Sequence, residues 1–291
     1  MINEIKPILK WVGGKRELIP YIREFYVKLK PNNYIEPFYG GGAVYLDVIN
    51  TFGIEFSKKS IIGDINSDLI ELYKNIKSAP EKIELNCNKI ELLYKQKGYY
   101  YIRDRFNGVD SAGNKLEKFE NFERSAALIL INRTCFNGLY RTNKKGLFNV
   151  PEGSYKNPKI LDIQNLYKLA NVLPEVKNIK NVEFNDIGQI QKGDLVYFDP
   201  PYHPLNPTSS FTSYSGTFGE DEQVKLRDYF KELDNKGAFV LLSNSASNFI
   251  KGLYNEFQIH EVPCKRNINS KADKRGKILE YLIIGNTLKN A

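Results

Sequence analysis

Hydrophobic residues along the chain fall into two spacings. From 15 to 29 they recur at helical intervals, interrupted early by Pro20. Tyr34-Ile35 reads as a short strand that runs into the glycine-rich EPFYGGG. Helical spacing resumes with Ala43, Val44, Leu46, Val48 and Ile49 and stops at Gly53. Ser60-Ile61-Ile62 predicts a second strand, closed by Gly63-Asp64. Asn66 or Ser67 can cap the next helix, whose apolar positions are Leu69, Ile70, Leu72, Tyr73 and Ile76. Strand, glycine turn, helix, strand is the opening of a doubly wound α/β sheet.

The alternation then stops. Residues 79–175 read as mostly helical, with an apolar helix at 122–132 and a hairpin-like RTNKKGLFNV. Strand signals return at Val182-Glu183-Phe184, Leu195-Val196-Tyr197-Phe198 and Phe239-Val240-Leu241-Leu242. Helices at 220–235 and 246–254 alternate with them, and two closing strands lie near 257–263 and 278–284. The pattern predicts an α/β fold in which one sheet is built from two chain segments, 1–78 and 176–291, separated by an inserted lobe at 79–175.

Composition narrows the class. Of 291 residues, 42% are hydrophobic and 26% charged, with a mean hydropathy of −0.43, the profile of a globular chain. No apolar run reaches membrane-spanning length, and MINEIKPILKWVGGK lacks the layout of a signal peptide, so a cytoplasmic protein without a membrane partner is expected. Cys87, Cys135 and Cys264 are far apart with no CxxC pair, and His203 and His260 are the only histidines. Neither a disulfide framework nor a metal site is expected.

Charge adds a partner. Lys and Arg number 42 against 34 Asp and Glu, a net +8. Residues 133–159 and 265–277 each carry +5 and residues 1–30 carry +4, which leaves the remainder acidic. Three basic clusters on an acidic chain suit a polyanion, and equally suit solvated loops.

Candidate chemistry sits at strand ends. Glycines in EPFYGGG let the backbone approach a ligand, and Asp64, 22 residues after Gly42, can hold ribose hydroxyls. WVGGK does not fit a phosphate-binding loop: no glycine lies five residues before Gly14, and Arg16 occupies the Ser/Thr position. Asp199-Pro200-Pro201-Tyr202 ends the strand LVYF. Its prolines fix the backbone, so the Asp199 carboxylate and the Pro200 carbonyl can each accept one N–H of a nucleobase amine. That would localise a lone pair otherwise delocalised into the ring. Tyr202 offers a face on which a base can stack.

In combination these segments resemble the Dam-type DNA adenine-N6 methyltransferases (D12 class, alpha group), which use S-adenosylmethionine. The matching segments are KWVGGK, EPFYGGGAVYLD, GDINSDLI, NRTCFNGLYRTNKKGLFNVPEGSYKNP, YFDPPYHPL, SNS at 243–245 and the basic C-terminal stretch. They occur in the family's order from about residue 8 to 285. The resemblance implies a Rossmann-like methyltransferase sheet with an inserted, mainly helical DNA-recognition lobe carrying a β-hairpin. Residues 1–78 and 176–291 would bind the cofactor and 79–175 the target DNA.

Roles follow by resemblance. Trp11, Lys15, Phe38, Gly40, Gly42, Asp64, Asp186 and Asp199 would surround S-adenosylmethionine. Asp199, Pro200 and Tyr202 would be catalytic, with Tyr202 stacking on an adenine swung out of the duplex. Lys10, Asn137, Leu139, Arg141, Asn143 and Tyr155 would contact double-stranded DNA, with Arg141 on a guanine, Lys10 at the outer base pair and Tyr155 as the wedge. Ser154 departs from the pattern, because some members carry a phosphate-binding Arg there. GATC is the implied target, and a monomer is adequate for the chemistry. His203 reads as loop lining and Cys264 as a packing residue. Cytosine-N4 methylation, an RNA adenine substrate and an inactive DNA binder are the alternatives.

Overall fold

Pro20 opens a helix instead of interrupting one. In the computed structural model, which describes residues 5–11, 13–15, 17–205, 218–265 and 277–291, helix α1 spans Ile19–Tyr26. The proline lies in its first turn, where a missing N–H breaks no helical bond. The helix expected at 15–29 is therefore shorter. The elements that follow are β1 (Tyr34–Glu36), α2 (Ala43–Phe52), β2 (Ser60–Asp64) and α3 (Ser67–Ser78). The Asn66 side chain caps α3 by accepting from the Leu69 N–H at 3.2 Å.

The middle of the chain is helical: α4 (Pro80–Lys97), α5 (Tyr99–Asn107), α6 (Asn121–Thr134) and α7 (Ile163–Val172). Residues 125–132 of α6 are all buried, as an apolar helix without a polar face requires. The hairpin-like segment between α6 and α7 closes through one bridge pair, Thr142 with Phe148.

Strand β3 (Ile179–Asn181) replaces the strand expected at Val182-Glu183-Phe184. Phe184 is buried there from a turn, so its apolar signal reports core burial and not strand pairing. Next come β4 (Leu195–Phe198), α8 (Glu220–Asn235), β5 (Phe239–Ser245), α9 (Asn248–Leu253), β6 (Gln258–Lys265), β7 (Lys277–Ile284) and α10 (Asn286–Lys289). Apart from residues 265 and 277, the basic stretch 265–277 lies outside the described residues, as do Val12 and Arg16.

The fold is mixed α/β, with a seven-stranded sheet ordered β3-β2-β1-β4-β5-β7-β6. β1 runs parallel to β2 and β4, and β4 to β5, while β7 is antiparallel to both β5 and β6. The strand order reverses at the β1/β4 neighbours, where open α/β sheets place ligands beyond the carboxyl ends. Phe38 and Asp199 follow those ends.

The chain divides into two compact units, residues 1–14, 40–58 and 64–181, and residues 15–39, 59–63 and 182–291. The first holds the helices from α2 to α7. In the second, Val196, Phe198, Val240 and Ile283 of the sheet join Leu226 and Phe230 of α8 in one core. LVYF is an unbroken apolar run because β4 is wholly buried between two parallel neighbours. Among the described residues no helix is long and apolar enough to cross a membrane, and no group of three His, Cys, Asp or Glu could hold a metal ion.

Candidate active site

The loop that leaves β4 is fixed by buried polar side chains from distant parts of the second unit. Asp199 meets the Lys15 ammonium at 2.8 Å and accepts from the Ser243 hydroxyl at 3.1 Å, both on Oδ1. Ser243 is also paired with the Tyr197 hydroxyl at 2.8 Å. Burial raises the Asp199 pKa above the usual carboxylate range, and Lys15 and Ser243 oppose that rise. The Pro201 carbonyl accepts from Gln223 Nε2 at 2.8 Å, and Gln223 is held in turn by Asn244 Nδ2 at 3.0 Å. Asn244 Oδ1 accepts the His203 N–H, and the His203 carbonyl accepts from Ser245. Every polar residue of the Ser243-Asn244-Ser245 strand end thus braces the loop.

Tyr202 lies in the same cluster. Its hydroxyl donates to Glu280 Oε2 at 2.8 Å, and the Lys15 ammonium sits 4.7 Å from its ring centroid. Burial, then the charges of Asp199 and Glu280, push the phenol well above its ordinary pKa, so the hydroxyl stays protonated. The His203 ring stacks on Phe249 at 4.6 Å, which suits a loop-lining side chain. Cys264 is buried on β6, and burial pushes its thiol up to about 11, far from the thiolate a nucleophile requires. Gln223, Glu280 and the bracing role of Ser243 and Asn244 were not visible in the sequence motifs. The one available signal was Glu280 as a carboxylate inside the apolar run KILEYLII.

In the first unit the glycine loop is shaped by Trp11. A Cβ at Gly40 would lie 2.8 Å from the Trp11 ring, and one at Gly41 2.9 Å from the Trp11 Cβ. Gly40 and Gly42 have φ of 49° and 69°, and Gly42 leads into the N-terminus of α2. Asp64 accepts from the Gly40 N–H at 3.0 Å and the Asn66 N–H at 2.9 Å. Burial nevertheless raises its pKa to about 6. Ile65 beside it is 68% exposed, an apolar side chain that the sequence reading did not single out.

The remaining cofactor candidates lie in the second unit. Phe38 is half-buried and stacks on Phe184 at 5.6 Å, with Phe218 edge-on. Asp186 is exposed in the turn after Phe184, its N–H donating to the Glu183 carbonyl. Lys15, grouped by resemblance with the cofactor residues, has its ammonium on Asp199.

The basic segment after α6 belongs to the first unit and is tied to the N-terminal residues. Asn132 accepts the Lys10 N–H at 2.8 Å and donates to the Lys10 and Gly138 carbonyls. The Lys10 ammonium lies 3.9 Å from the Tyr155 ring centroid. Asn137, exposed, adopts a left-handed φ of 54°, next to half-buried Leu139. Arg141 Nε donates to Asn149 Oδ1 at 2.8 Å across the bridge, so its guanidinium is held in one orientation. Asn143 accepts the Lys145 and Leu147 N–H groups and thereby forms the turn. Phe136, 51% exposed beside Asn137, is a second exposed aromatic on this segment, along with Tyr155 at 39%.

Residues 11–268 match the profile of the D12 class N6 adenine-specific DNA methyltransferase family. The chain belongs to this family. The methyltransferase is 45% identical over 297 residues to a Type II methyltransferase of Methanocaldococcus jannaschii, covering 97% of this chain and 99% of that protein. It is 41% identical over 283 residues to a Type II methyltransferase of Lactococcus lactis subsp. cremoris, covering 96% and 95%. To the DNA adenine methylase of Escherichia coli the identity is 30% over 290 residues, again covering 96% and 95%. The methyltransferase is thus an adenine-specific DNA-modifying enzyme, and its family implies a methyl donor.

Proposed function

We propose that the enzyme transfers a methyl group from S-adenosylmethionine to N6 of an adenine in duplex DNA, within GATC, after that base has left the stack. The observation that carries this reading is Asp199. Both of its side-chain bonds among the described residues converge on Oδ1, which turns Oδ2 to the role of acceptor for one amine N–H. The Pro200 carbonyl takes the other, and Tyr202 stacks on the base. Leaving the duplex costs a few kcal/mol, which phosphate contacts and an aromatic wedge, Tyr155 or the more exposed Phe136, offset. Arg141 reads a guanine through O6 and N7, flanked by Lys10, Asn137, Leu139 and Asn143.

The residues suit the donor. The Asp64 carboxylate keeps lone pairs beyond its two N–H bonds for ribose hydroxyls, Phe38 offers an aromatic face, and the Trp11–glycine packing keeps Gly40 and Gly41 bare of side chains. When bound, S-adenosylmethionine supplies the methyl group. Lys15 and Asp186 complete this set. Residues 79–175 act as the recognition lobe, and a monomer suffices.

Product analysis tests the reading. The full chain is incubated with S-adenosylmethionine and mixed-sequence duplex DNA, and the nucleosides are separated and mapped. N6-methyladenine in GATC is expected. N6-methyladenine in another sequence overturns the target, and N4-methylcytosine overturns the base. Tight DNA binding without any methylated nucleoside overturns the reading and points to RNA or an inactive binder.

A further inference from the structure

Glu280 is out of place by composition. It stands on β7, the strand hydrogen-bonded to β5 on one side and β6 on the other, opposite Ser245 and Val262. Its neighbours Ile278, Leu279, Tyr281 and Leu282 are apolar. A half-buried carboxylate here carries a desolvation penalty, visible as a raised pKa that the Lys15 charge opposes. A glutamine, or an apolar residue with the phenol left to water, would be less costly. The Glu280 side chain makes one described hydrogen bond, from the Tyr202 hydroxyl.

That bond decides how Tyr202 can act. The ring is anchored at its hydroxyl end to an interior strand that neither neighbour allows to shift. One face looks toward the Lys15 ammonium at 4.7 Å. A planar ligand on the opposite face would meet the ring at an angle and height set by the Glu280 carboxylate. A ring free to rotate about its two side-chain torsions would lose that setting, and alignment of the reacting amine is worth large rate factors.

We propose that Glu280 is a positioning residue for the methyl-transfer step, holding the Tyr202 ring at the height and tilt at which it stacks on the target base. The proposal rests on the reading of Asp199–Tyr202 as the catalytic loop.

The test is a double-mutant cycle on the full-length enzyme. Single-turnover methylation rate, duplex affinity and S-adenosylhomocysteine affinity are measured for E280A, E280Q, Y202F and E280A/Y202F. The expected result is a methylation rate about tenfold lower in E280A and in Y202F, with both affinities unchanged. E280Q, which keeps an acceptor, should stay within about threefold of wild type, and E280A should add nothing in the Y202F background. A purely structural role would move the affinities or give additive losses. Additive losses, or an E280A enzyme with the wild-type rate, overturn the proposal. Should E280A not fold, Y202F probes the same bond from the other side, and a wild-type rate there also overturns it. Y202A at the wild-type rate overturns the reading of the loop itself, a failure recognisable without touching Glu280.

Discussion

The proposed catalytic loop and the proposed DNA-reading segment are both braced, by opposite means. Arg141 is aimed by Asn149, eight residues away, and Asn143 builds its own turn with Lys145 and Leu147. Asp199 is held by Lys15 and Ser243, and Tyr202 by Glu280, from distant positions along the second unit. A segment braced by itself can change its target residues and keep its shape. A loop braced by residues distributed along the chain tolerates change only where all its partners allow it. On the proposed roles, specificity sits on local geometry and chemistry on global geometry.

Breaking the global side should have the largest effect. Asp199→Ala is expected to lower the methylation rate by about 10²–10³ or more, since one acceptor at the reacting centre is removed, while duplex affinity is kept. Loss of duplex affinity in parallel would show that Asp199 holds the fold and not the reaction. On the local side, Arg141→Ala should weaken discrimination at one base pair by about 1–3 kcal/mol, read as relative rates on single-base variants of the target. Unchanged preference would remove Arg141 from the reading set.

A smaller effect is expected where the glycine loop meets Trp11. Gly41→Ala sets a methyl group 2.9 Å from the Trp11 Cβ, and overpacking of that kind costs about 1–3 kcal/mol. Thermal midpoints and S-adenosylhomocysteine affinity should both fall, and a wild-type affinity would show that the loop shape does not matter to the cofactor. The mildest effect is pH-dependent. If Asp64 holds ribose hydroxyls as an ionised carboxylate, affinity rises with pH through its pKa of about 6 and falls by about tenfold one unit below it. Asp64→Asn should flatten that profile, and an unflattened profile would assign the dependence to another group.

Legibility in the sequence followed the same division. Elements with strong periodicity were predictable: the helix after Gly42, the helix carrying Leu69 to Ile76, the strand LVYF and the two closing strands. Val182–Phe184 misled because a buried turn and a buried strand carry the same apolar signature when so short. Pro20 misled because a proline in a first turn and one in a helix interior differ only in where the helix begins. At the site, EPFYGGG, Asp64 and Asp199–Tyr202 announced themselves through residue type at a strand end. Gln223, Ser243 and Glu280 did not, because each acts through a partner at least 21 residues away. No local spacing encodes such a pairing.

Trp11 is the chain's single tryptophan, and it is seated on Gly40 and Gly41, with its ring 5.6 Å from that of Tyr140, the neighbour of Arg141. The protein therefore contains a native optical probe at one address. Excited at the red edge, where tyrosine is silent, its emission has a single origin, so any change in colour or lifetime on adding cofactor or duplex reports from the glycine loop and the Tyr140 ring. If the glycine loop holds the cofactor as proposed, occupancy can be followed in unlabelled enzyme during turnover, with no second emitter to subtract.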